Sequence, residues 1–461
     1  MLEANARVHF VGAGGIGMSA LALLLRQMGH TVYGSDLKSS PQTKRLQQHG
    51  AAIFIGPHDA RNLRDTDLVV VSSAVNSDNP ELVEARKRGI SIIHRSELLA
   101  ELMRKKKGIA VAGSHGKTTT TAMISMLLVD AGMDPTCLVG GVVAQLGSNA
   151  RLGSGDYLVA ETDESDRSFL RLFPQVAVIT NIDLEHMVAY QSEADLMKAF
   201  QEFANKLPDP SRCVVCSDDH RVRRILPGIG GQPVTYGFRP PAQLAVEGLE
   251  HRFEGSKFRV VHEGRSWGEV SLNIPGVHNV LNSLAAIGVS LLLGIVPQVT
   301  IESLARFRGV GRRLEKKGSS AGVVFYDDYG HHPTEICATL AAAKESGRRL
   351  IVIFQPHRYT RTRDAFAGFA ECFKEADVLF LVNIYSAGEP PLPGIDSVRL
   401  AEEISKAGHP AARFVEEDTV DDEVCRILRQ GDLVLTVGAG DVYRVGESIL
   451  KKWERQHGYR T

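Results

Sequence analysis

Three times along the chain, a short apolar strand leads into a glycine-punctuated turn and a helix. The first series opens with Val8–Val11, the second with Ile109–Val111 and the third with Val323–Asp327. Strands that alternate with helices in this way are typical of parallel sheets with helices on both faces. The sequence therefore predicts an α/β protein built from three successive α/β segments.

The length of the chain predicts that each segment forms its own domain. At 461 residues, the chain exceeds what a single hydrophobic core supports. We predict domains at residues 1–107, 108–309 and 310–461, with the basic run Arg104–Lys107 as a solvated linker after the first. Further strands are predicted at Thr31–Gly34, Ala52–Ile55, Leu68–Ser72, Ser91–Ile93, Ala177–Thr180, Leu350–Phe354, Val378–Val382 and Leu433–Val437, with a polar β-rich stretch near 244–272.

The charge balance argues against several classes of partner. Lys and Arg number 53 against 54 Asp and Glu, so the formal net charge is −1. A chain this neutral lacks the basic surface with which proteins bind nucleic acid or anionic membranes. Its apolar runs are too short to span a bilayer, and its amino terminus enters a strand without a secretory pattern. We expect a cytoplasmic protein with neither nucleic-acid partners nor membrane insertion.

The six cysteines are scattered along the chain. Cys213 and Cys216 form one C-x-x-C spacing, but they fall in a predicted buried strand, Arg212–Cys216, without a second ligand pair. Structural zinc sites need four such ligands. The pattern favours reduced thiols in a core over a zinc or redox site.

A glycine-rich loop opens the second segment, between the strand Ile109–Val111 and the apolar helix Thr120–Leu128. Such a loop directs backbone N–H groups toward phosphate at the positive end of the helix dipole. The Lys117 ammonium can then reach the terminal phosphates, and the Thr118 hydroxyl can bind Mg²⁺. Val111 stands where the general P-loop pattern has its first glycine, so this loop is a shortened variant. The candidate nucleotide-binding residues are Gly113, Ser114, His115, Gly116, Lys117, Thr118 and Thr119.

Acidic residues and a histidine follow the next strands of this segment. The stretch Val159–Asp166 reads Val-Ala-Glu-Thr-Asp-Glu-Ser-Asp, so a strand ends in a burst of carboxylates. Open α/β sheets bind ligands at the carboxyl ends of their strands, and Mg²⁺ prefers oxygen ligands. We therefore take Glu161 as a candidate metal ligand, with a solvated acidic turn as the alternative. The strand Ala177–Thr180 brings His186 to the same edge.

The amino-terminal loop Gly12–Gly17 satisfies the pattern G-x-G-x-x-G after the first strand, and Asp36 ends the next strand. Together they match the dinucleotide fingerprint. The same loop holds any diphosphate at a helix amino terminus. We therefore predict diphosphate binding, with NAD as a minor alternative.

Two further polar groups have more than one interpretation. His278, Asn279 and Asn282 stand at the start of an apolar helix, where they either cap the helix or contact an adenine edge. In the third segment, Gln355–Arg363 contains three arginines and a histidine after a strand. We predict that these residues anchor a small carboxylate, because the guanidinium fork matches its geometry. The alternative, a plain charged surface, is less favoured because clustered cations are costly without an anion.

Taken in order, these motifs resemble the Mur ligases, the ATP-dependent ligases that build the peptide of bacterial cell-wall precursors. The resemblance covers nearly the whole chain. It also favours the member that adds alanine, through Glu-Ser-Asp-Arg-Ser-Phe at 164–169 and Gln-Pro-His-Arg-Tyr at 355–359. The segments that carry the resemblance are Gly12–Gly17, the shortened P-loop, Glu161–Asp166, His278–Asn282, Asp327–Pro333 and Gln355–Thr362.

The resemblance implies a Rossmann-like amino-terminal domain that binds a UDP-sugar, a central P-loop ATPase-like domain, and a Rossmann-like carboxyl-terminal domain that binds the amino acid. It implies an enzyme that uses ATP and Mg²⁺ to join L-alanine to the carboxylate of UDP-N-acetylmuramate through an acyl-phosphate, in peptidoglycan synthesis, as a monomer or homodimer. The implied contacts to the UDP-sugar are Gly14, Gly15, Ile16, Gly17, Ser72, Ser73 and Arg95, and those to alanine and the acyl group are Tyr329, His331, His357, Arg358 and Arg361. The implied metal ligands are Thr118, Glu161 and His186, and the further nucleotide contacts are His278, Asn279, Asn282, Arg312, Arg313, Asp327 and Asp328. The implied catalytic residues are Lys117, Glu161, His186, Arg358 and Arg361.

Some features depart from the family pattern or leave alternatives. Val188 stands where Asp is common, and Lys198 lacks the spacing expected of the modified lysine that related ligases use. From the lability of an acyl-phosphate we predict that nucleotide binds first, the sugar acid second and the amino acid third. The alternatives are a ligase that attaches a whole murein peptide to the same sugar acid, an NAD-dependent oxidoreductase, and a nucleotide-binding regulator without turnover.

Overall fold

The computed structural model describes residues 3–185 and 187–457. The chain divides into two compact units. The first comprises Met1–Leu249, Phe258–Ser271 and Leu281–Arg308; the second comprises Glu250–Lys257, Leu272–Val280 and Gly309–Thr461.

Strands and helices alternate through most of both units, as the sequence predicts. The strands are β1 (Arg7–Val11), β2 (Thr31–Asp36), β3 (Ala52–Ile55), β4 (Leu68–Val71), β5 (Ser91–His94), β6 (Lys107–Ala112), β7 (Thr136–Val143), β8 (Ser148–Arg151), β9 (Tyr157–Glu161), β10 (Val176–Ile179), β11 (Cys213–Cys216), β12 (Val234–Tyr236), β13 (Leu244–Arg252), β14 (Gly255–His262), β15 (Arg265–Leu272), β16 (Glu315–Ser320), β17 (Val323–Asp328), β18 (Leu350–Phe354), β19 (Val378–Leu381), β20 (Ala412–Phe414) and β21 (Leu433–Val437). The helices are α1 (Ile16–Gln27), α2 (Pro41–Gln48), α3 (Pro80–Lys87), α4 (Arg95–Arg104), α5 (Lys117–Asp130), α6 (Glu193–Asn205), α7 (His220–Ile225), α8 (His278–Leu293), α9 (Pro297–Arg306), α10 (Pro333–Lys344), α11 (Tyr359–Asp364), α12 (Phe366–Cys372), α13 (Ser397–Lys406), α14 (Val420–Ile427) and α15 (Tyr443–His457).

The first sheet has the order β3-β2-β1-β4-β5, and its strands are parallel. Helix α1 buries the run Leu21–Leu25 in the core of this sheet. Asn149 in β8 donates a hydrogen bond of 3.0 Å to the carbonyl of Ile16, the first residue of α1. The glycine loop before α1 is therefore held against the neighbouring sheet of the same unit.

The second sheet places the P-loop strand between two strands that carry polar residues at their carboxyl ends. Its order is β15-β14-β13-β12-β11-β10-β6-β9-β7-β8. Strands β10 and β9 flank β6 in parallel, with Ile179 opposite Ala112 and Glu161 opposite Val111. Residues Ile109 to Ala112 are fully buried, as expected for a parallel strand covered on both faces. The candidate site residues that follow three neighbouring strands thus lie at one edge of the sheet.

The third sheet lies in the second unit and has the order β16-β17-β21-β18-β19-β20. All of its neighbouring strands pair in parallel except β16 and β17, which are antiparallel. The sequence predicts β17, β18, β19 and β21 within one residue of their ends, because most of their side chains are apolar and those of β18 and β21 are completely buried. It misses the two edge strands: β16, which is polar, and β20, which has only three residues.

Two of the local predictions can be compared directly with the structure. Arg104, Lys105 and Lys107 are exposed, so the prediction that this run is solvated is confirmed. The prediction that it is a linker is wrong, because Arg104 ends α4, Lys107 begins β6, and the Lys106 ammonium donates hydrogen bonds to the carbonyls of Gly153 and Gly155 at 2.9 and 2.6 Å. Cys213 and Cys216 are buried in β11 with free thiols. In the part of the chain that the structure describes, no helix has both the length and the apolar character needed to cross a bilayer.

Candidate active site

The loop from Gly113 to Gly116 joins β6 to α5 in a conformation that favours glycine at both ends. Gly113 has φ = 132° and Gly116 has φ = 80°, values that side chains with a Cβ rarely adopt. A Cβ at Gly113 would also overlap the Thr180 hydroxyl, and one at Gly116 would lie 2.5 Å from Asn282 Oδ1. The glycines therefore permit both the turn and the close approach of Thr180 and Asn282.

The residues that follow β10 hold this loop in shape. The Thr180 hydroxyl and the Asn181 amide both donate to the carbonyl of His115, at 2.6 and 3.0 Å. The backbone N–H of His115 donates to Asn181 Oδ1 at 2.8 Å, and that of Ser114 donates to the Asn181 carbonyl at 3.1 Å. Since a cradle for phosphate must be rigid before the ligand arrives, this clamp is a preorganising feature.

Lys117 begins α5 and is engaged by the loop itself. Its ammonium donates to the carbonyls of Gly113 and Ser114 at 2.5 and 3.0 Å and to Glu164 Oε1 at 2.8 Å. Burial opposes the positive charge, but the Glu164 carboxylate outweighs it and keeps the pKa of Lys117 above its ordinary value. Burial raises the pKa of Glu164 to about 7 in spite of the lysine. The lysine is therefore charged, and its ammonium lies between the loop carbonyls and Glu164.

Glu161 and Thr118 have the environment expected of ligands for a hard cation. Thr118 lies in the first turn of α5, and Glu161 ends β9 beside the P-loop strand. Among residues 3–185 and 187–457, Glu161 Oε2 is buried without a hydrogen-bond partner. A buried carboxylate oxygen without a donor is costly unless a cation is nearby, so these residues fit Mg²⁺. His186, the other predicted metal ligand, lies outside the described residues.

The residues predicted at the start of α8 have different surroundings. Asn282 lies against the P-loop, where its Oδ1 accepts a hydrogen bond of 3.2 Å from the Thr120 hydroxyl. Asn279 donates to the Pro275 carbonyl at 2.7 Å, and the imidazole of His278 lies against Gly276. Burial lowers the pKa of His278 to about 4, so its imidazole is neutral at pH 7. Asn282 is thus the one of these three that the first unit places at the P-loop.

The amino-terminal glycine loop uses the Asp36 carboxylate for its own structure. Asp36 Oδ2 accepts a hydrogen bond of 2.8 Å from the backbone N–H of Gly14. A Cβ on Gly17 would lie 3.1 Å from a guanidinium nitrogen of Arg95, so this arginine lies directly beside the loop. Ser72 and Ser73 follow β4, and Arg95 follows β5, at the same sheet edge as the loop. The predicted UDP-sugar residues of this domain therefore lie at one edge.

In the second unit, Arg312 and the two aspartates at the end of β17 form hydrogen bonds that hold the neighbouring loops. Arg312 Nε donates to Asp327 at 3.0 Å, and its guanidinium lies between the rings of Tyr329 and Tyr443, at 5.0 and 4.8 Å from their centroids. Burial raises the pKa of Asp327 to about 6. Asp328 accepts backbone hydrogen bonds of 2.7 Å from Leu314 and Gly330. Arg313 lies near Glu335, at 3.8 Å, and over the ring of Tyr329.

A cluster of rings and arginines follows β17 and β18. The ring of His331 lies 6.0 Å from that of His357, and His357 stacks on Tyr385 with centroids 5.6 Å apart. Arg361 contacts His357 Nδ1 at 3.0 Å, and the backbone N–H of Arg358 donates to the Tyr385 carbonyl at 2.8 Å. Burial lowers the pKa of His357 to about 2, so this imidazole is neutral between fixed cations. The cluster suits a small zwitterion or carboxylate.

Family models match most of this chain. The model of the Mur ligase family, catalytic domain, matches residues 7–107; that of the Mur ligase middle domain matches 111–290; and that of the Mur ligase, glutamate ligase domain, matches 312–440. The chain belongs to the Mur ligase family. The three-part α/β fold that the sequence predicts is thereby confirmed.

This Mur ligase is similar over nearly its whole length to two ligases named for UDP-N-acetylmuramate and alanine and to one named for murein peptide. A UDP-N-acetylmuramate–L-alanine ligase from Oleidesulfovibrio alaskensis is 49% identical over 447 residues, which cover 96% of this chain and 98% of the relative. The crystal structure of a UDP-N-acetylmuramate–alanine ligase from Thermotoga maritima aligns with a TM-score of 0.85 at 32% identity, covering 98% of this chain and 100% of that one. A murein peptide ligase from Psychrobacter arcticus aligns with a TM-score of 0.74 at 25% identity, covering 97% and 98%.

Sequence reasoning missed several residues of this Mur ligase that the structure places beside the predicted ones. Glu164 pairs with Lys117, Asn181 clamps the P-loop, Gly140 leaves room for Glu161, and Tyr385 stacks on His357. Glu164 lies inside the quoted stretch Val159–Asp166, and Asn181 directly follows the predicted strand Ala177–Thr180, so their positions after buried strands were a usable signal. Gly140 and Tyr385 lie far from any motif, and no local pattern indicates them.

Proposed function

We propose that this Mur ligase joins L-alanine to the carboxylate of UDP-N-acetylmuramate, with conversion of ATP to ADP and phosphate, in the synthesis of peptidoglycan precursors in the cytoplasm. The observation that carries the proposal is 49% identity, across 96% of the chain, to a ligase named for this reaction. Residues 1–107 would bind the UDP-sugar, 108–309 ATP and 310–461 the amino acid.

The P-loop supplies the nucleotide-binding part of this proposal. Its backbone N–H groups at the start of α5 and the Lys117 ammonium would bind the β- and γ-phosphates of ATP. Thr118 and Glu161, together with His186, would hold Mg²⁺, which neutralises phosphate charge when bound. The orphaned oxygen of Glu161 supports this assignment.

The proposed reaction proceeds in two steps. A carboxylate oxygen of the sugar acid attacks the γ-phosphorus, and the bond to the bridging oxygen breaks, so that ADP leaves. The alanine amine then attacks the acyl carbon and the bond from that carbon to the phosphate oxygen breaks with its electron pair on oxygen. An amide forms, and the proton lost from the nitrogen leaves with the phosphate. The contribution of Lys117 is to stabilise charge on the transferring phosphoryl group, because a cation fixed in a dry site needs no reorganisation during the reaction.

The ring-and-arginine cluster of the second unit would bind alanine. Arg358 and Arg361 would anchor its carboxylate, with Tyr329 and His331 beside it. The neutral imidazole of His357 adds no positive charge that would repel the incoming ammonium or amine.

The decisive experiment measures phosphate release from ATP with UDP-N-acetylmuramate and one amino acid at a time. We expect release with L-alanine and a lower kcat/KM with glycine and L-serine. Release with a murein tripeptide in place of alanine would assign the chain to the peptide-adding ligases instead. Failure to release phosphate with any of these acceptors would overturn the proposal.

Gly140 offers a specific test of the metal-binding assignment. Gly140 lies in β7, and a Cβ there would overlap the carboxylate of Glu161. The substitution Gly140→Ala must therefore displace this carboxylate, and we expect the Mg²⁺ concentration for half-maximal activity to rise by about 10-fold or more. The measurement is phosphate release as a function of Mg²⁺.

Gly230→Ala is the matched control for this prediction. Gly230 is in the same unit, and a Cβ there would meet its nearest atom at an ordinary 3.6 Å. We expect an unchanged Mg²⁺ dependence in this variant. An unchanged Mg²⁺ dependence in Gly140→Ala as well would remove Glu161 from the metal site.

A further inference from the structure

Carboxylates of a single loop in the first unit pair with two cationic side chains that are proposed to bind different ligands. We name residues 163–166, which follow β9, the acidic loop. Asp163 of this loop forms an ion pair with Arg95, the arginine beside the diphosphate loop. Glu164, the next residue, pairs with Lys117 of the P-loop at 2.8 Å. Neighbouring carboxylates thus occupy the cations of the proposed UDP-sugar site and of the proposed ATP site.

We propose that the acidic loop is an internal counter-ion shared by the two sites, and that it releases both cations together when nucleotide and UDP-sugar bind. This inference rests on the proposed function, since it takes the two ligands from it. The inferred role of Asp163 and Glu164 is to position Arg95 and Lys117 before the ligands arrive and to couple the two binding events.

Burial makes each pair costly to break singly. The side chains of Lys117 and Glu164 are 18% and 5% exposed, and those of Arg95 and Asp163 are 23% and 33% exposed. Leaving one member of a buried ion pair without its partner is strongly unfavourable. A phosphate that takes Lys117 from Glu164 therefore favours movement of the acidic loop over a carboxylate left alone.

The backbone of the acidic loop links the two pairs mechanically. Asp163 Oδ1 accepts a hydrogen bond of 2.9 Å from the N–H of Ser165, while Asp163 Oδ2 faces Arg95. At the far end of the loop, Asp166 accepts a hydrogen bond of 2.5 Å from the Ser73 hydroxyl. Because one short turn carries all of these contacts, a shift that frees Lys117 also weakens the hold on Arg95.

The expected consequence is positive cooperativity between the two ligands. Whichever ligand binds first bears the cost of moving the acidic loop, and the second meets a cation that is already released. Such coupling is reciprocal, so each ligand must tighten the binding of the other by the same factor.

The test is isothermal titration of the full chain with the β,γ-imido analogue of ATP and Mg²⁺, without and with saturating UDP-N-acetylmuramate and in the absence of alanine. For the unmodified protein we expect the sugar to tighten binding of the analogue by about fivefold or more. In Asp163→Asn we expect this factor to fall below about twofold. We also expect UDP-N-acetylmuramate alone to bind more tightly to the variant, because the internal competitor for Arg95 has lost its charge.

The variants are chosen so that a folding defect does not imitate the result. In Asp163→Asn, the asparagine keeps the Oδ1 that accepts the hydrogen bond from Ser165. The expected change is tighter binding of UDP-N-acetylmuramate, whereas a damaged site would bind it more weakly. Glu164→Gln provides a second test, in which the ATP analogue alone should bind more tightly. The control is Asp156→Asn, because Asp156 forms an exposed ion pair with Lys107 in the same sheet and should change neither affinity.

Two outcomes would overturn the inference: independent or antagonistic binding of the ligands to the unmodified protein, or weaker binding of UDP-N-acetylmuramate to Asp163→Asn. Both are distinguishable from failure of the proposed function. A chain that forms the amide but binds its ligands independently contradicts only the role of the acidic loop. A chain that binds neither ligand contradicts the proposed function itself.

Discussion

Replacement of Lys117 by alanine is expected to lower kcat for phosphate release by about 10³-fold. The reason is that the ammonium is the fixed cation nearest the loop where the γ-phosphate would bind, and charge develops there as the phosphoryl group moves. We expect a smaller change in the KM for ATP, because the backbone N–H groups of the loop are unaffected. Steady-state kinetics with UDP-N-acetylmuramate and L-alanine measure both parameters.

The loss of Lys117 also leaves Glu164 buried without its partner, which lowers stability independently of catalysis. The double variant Lys117→Ala/Glu164→Gln removes that charge, so it should recover stability in thermal unfolding but not activity. Lys107→Ala is the control, since Lys107 is an exposed lysine at the start of β6, the strand that leads into the P-loop. Normal turnover by Lys117→Ala would remove the P-loop from the mechanism.

Replacement of Glu81 by alanine is expected to lower the free energy of unfolding by about 3–5 kcal/mol. Glu81 lies in the first turn of α3, and its side chain is fully buried beneath the first sheet. It forms hydrogen bonds with His9 (2.8 Å), Ser35 (2.7 Å), His58 (3.2 Å) and Asn62 (2.8 Å). Removing it leaves several buried polar groups without a partner at once. Urea denaturation followed by circular dichroism measures the effect.

Glu84 on the same helix provides the matched control. Its carboxylate pairs with Arg88 on the surface, and surface pairs contribute little. We expect Glu84→Ala to unfold at nearly the same urea concentration as the unmodified protein. Equal behaviour of the two variants would mean that the buried network does not stabilise the first sheet.

The same network predicts how stability depends on pH. Burial raises the pKa of Glu81, but its hydrogen bonds outweigh burial and hold the pKa well below its ordinary value of 4.5. The contribution of Glu81 to the free energy of unfolding is therefore complete above pH 4.5 and is lost as the pH falls. The hydrogen bond from Glu81 raises the pKa of His58 above its ordinary value of 6.5, so that contribution is complete below pH 6.5 and is lost as the pH rises. Both dependences should shrink in Glu81→Ala.

The parts of the fold that sequence analysis predicted well are those whose signal is local. Strands such as β18 and β21 are continuous apolar runs because both faces of a parallel sheet are covered. The P-loop is equally legible, since its function needs only glycine conformations, a lysine and a helix start within a few residues. The polar edge strand β16 was missed because it pairs on one side and has no apolar pattern.

The candidate site was predictable to the level of which strand ends would meet, but not to the level of which side chains pair. The burst of carboxylates after β9 was recognised, and Glu161 was chosen from it as a metal ligand. Asp163 and Glu164 of the same stretch pair with Arg95 and Lys117, which are 68 and 47 residues away in the chain. These pairs depend on the directions of the side chains in the folded structure. The alternative of a solvated turn does not describe this loop, because Glu164 is 5% exposed and paired with a buried lysine.

Local structure in this chain can be predicted from neighbouring residues, because glycine turns, apolar strands and the Gly-Lys-Thr loop each span only a few positions. That was enough to predict three α/β segments and a phosphate-binding loop. The pairing of Asp163 and Glu164 with separate cations, the room that Gly140 leaves for Glu161, and the stack of Tyr385 on His357 arise from folding distant segments together. Charge pairing and close packing depend on distances in space, and the order of residues along the chain does not contain those distances.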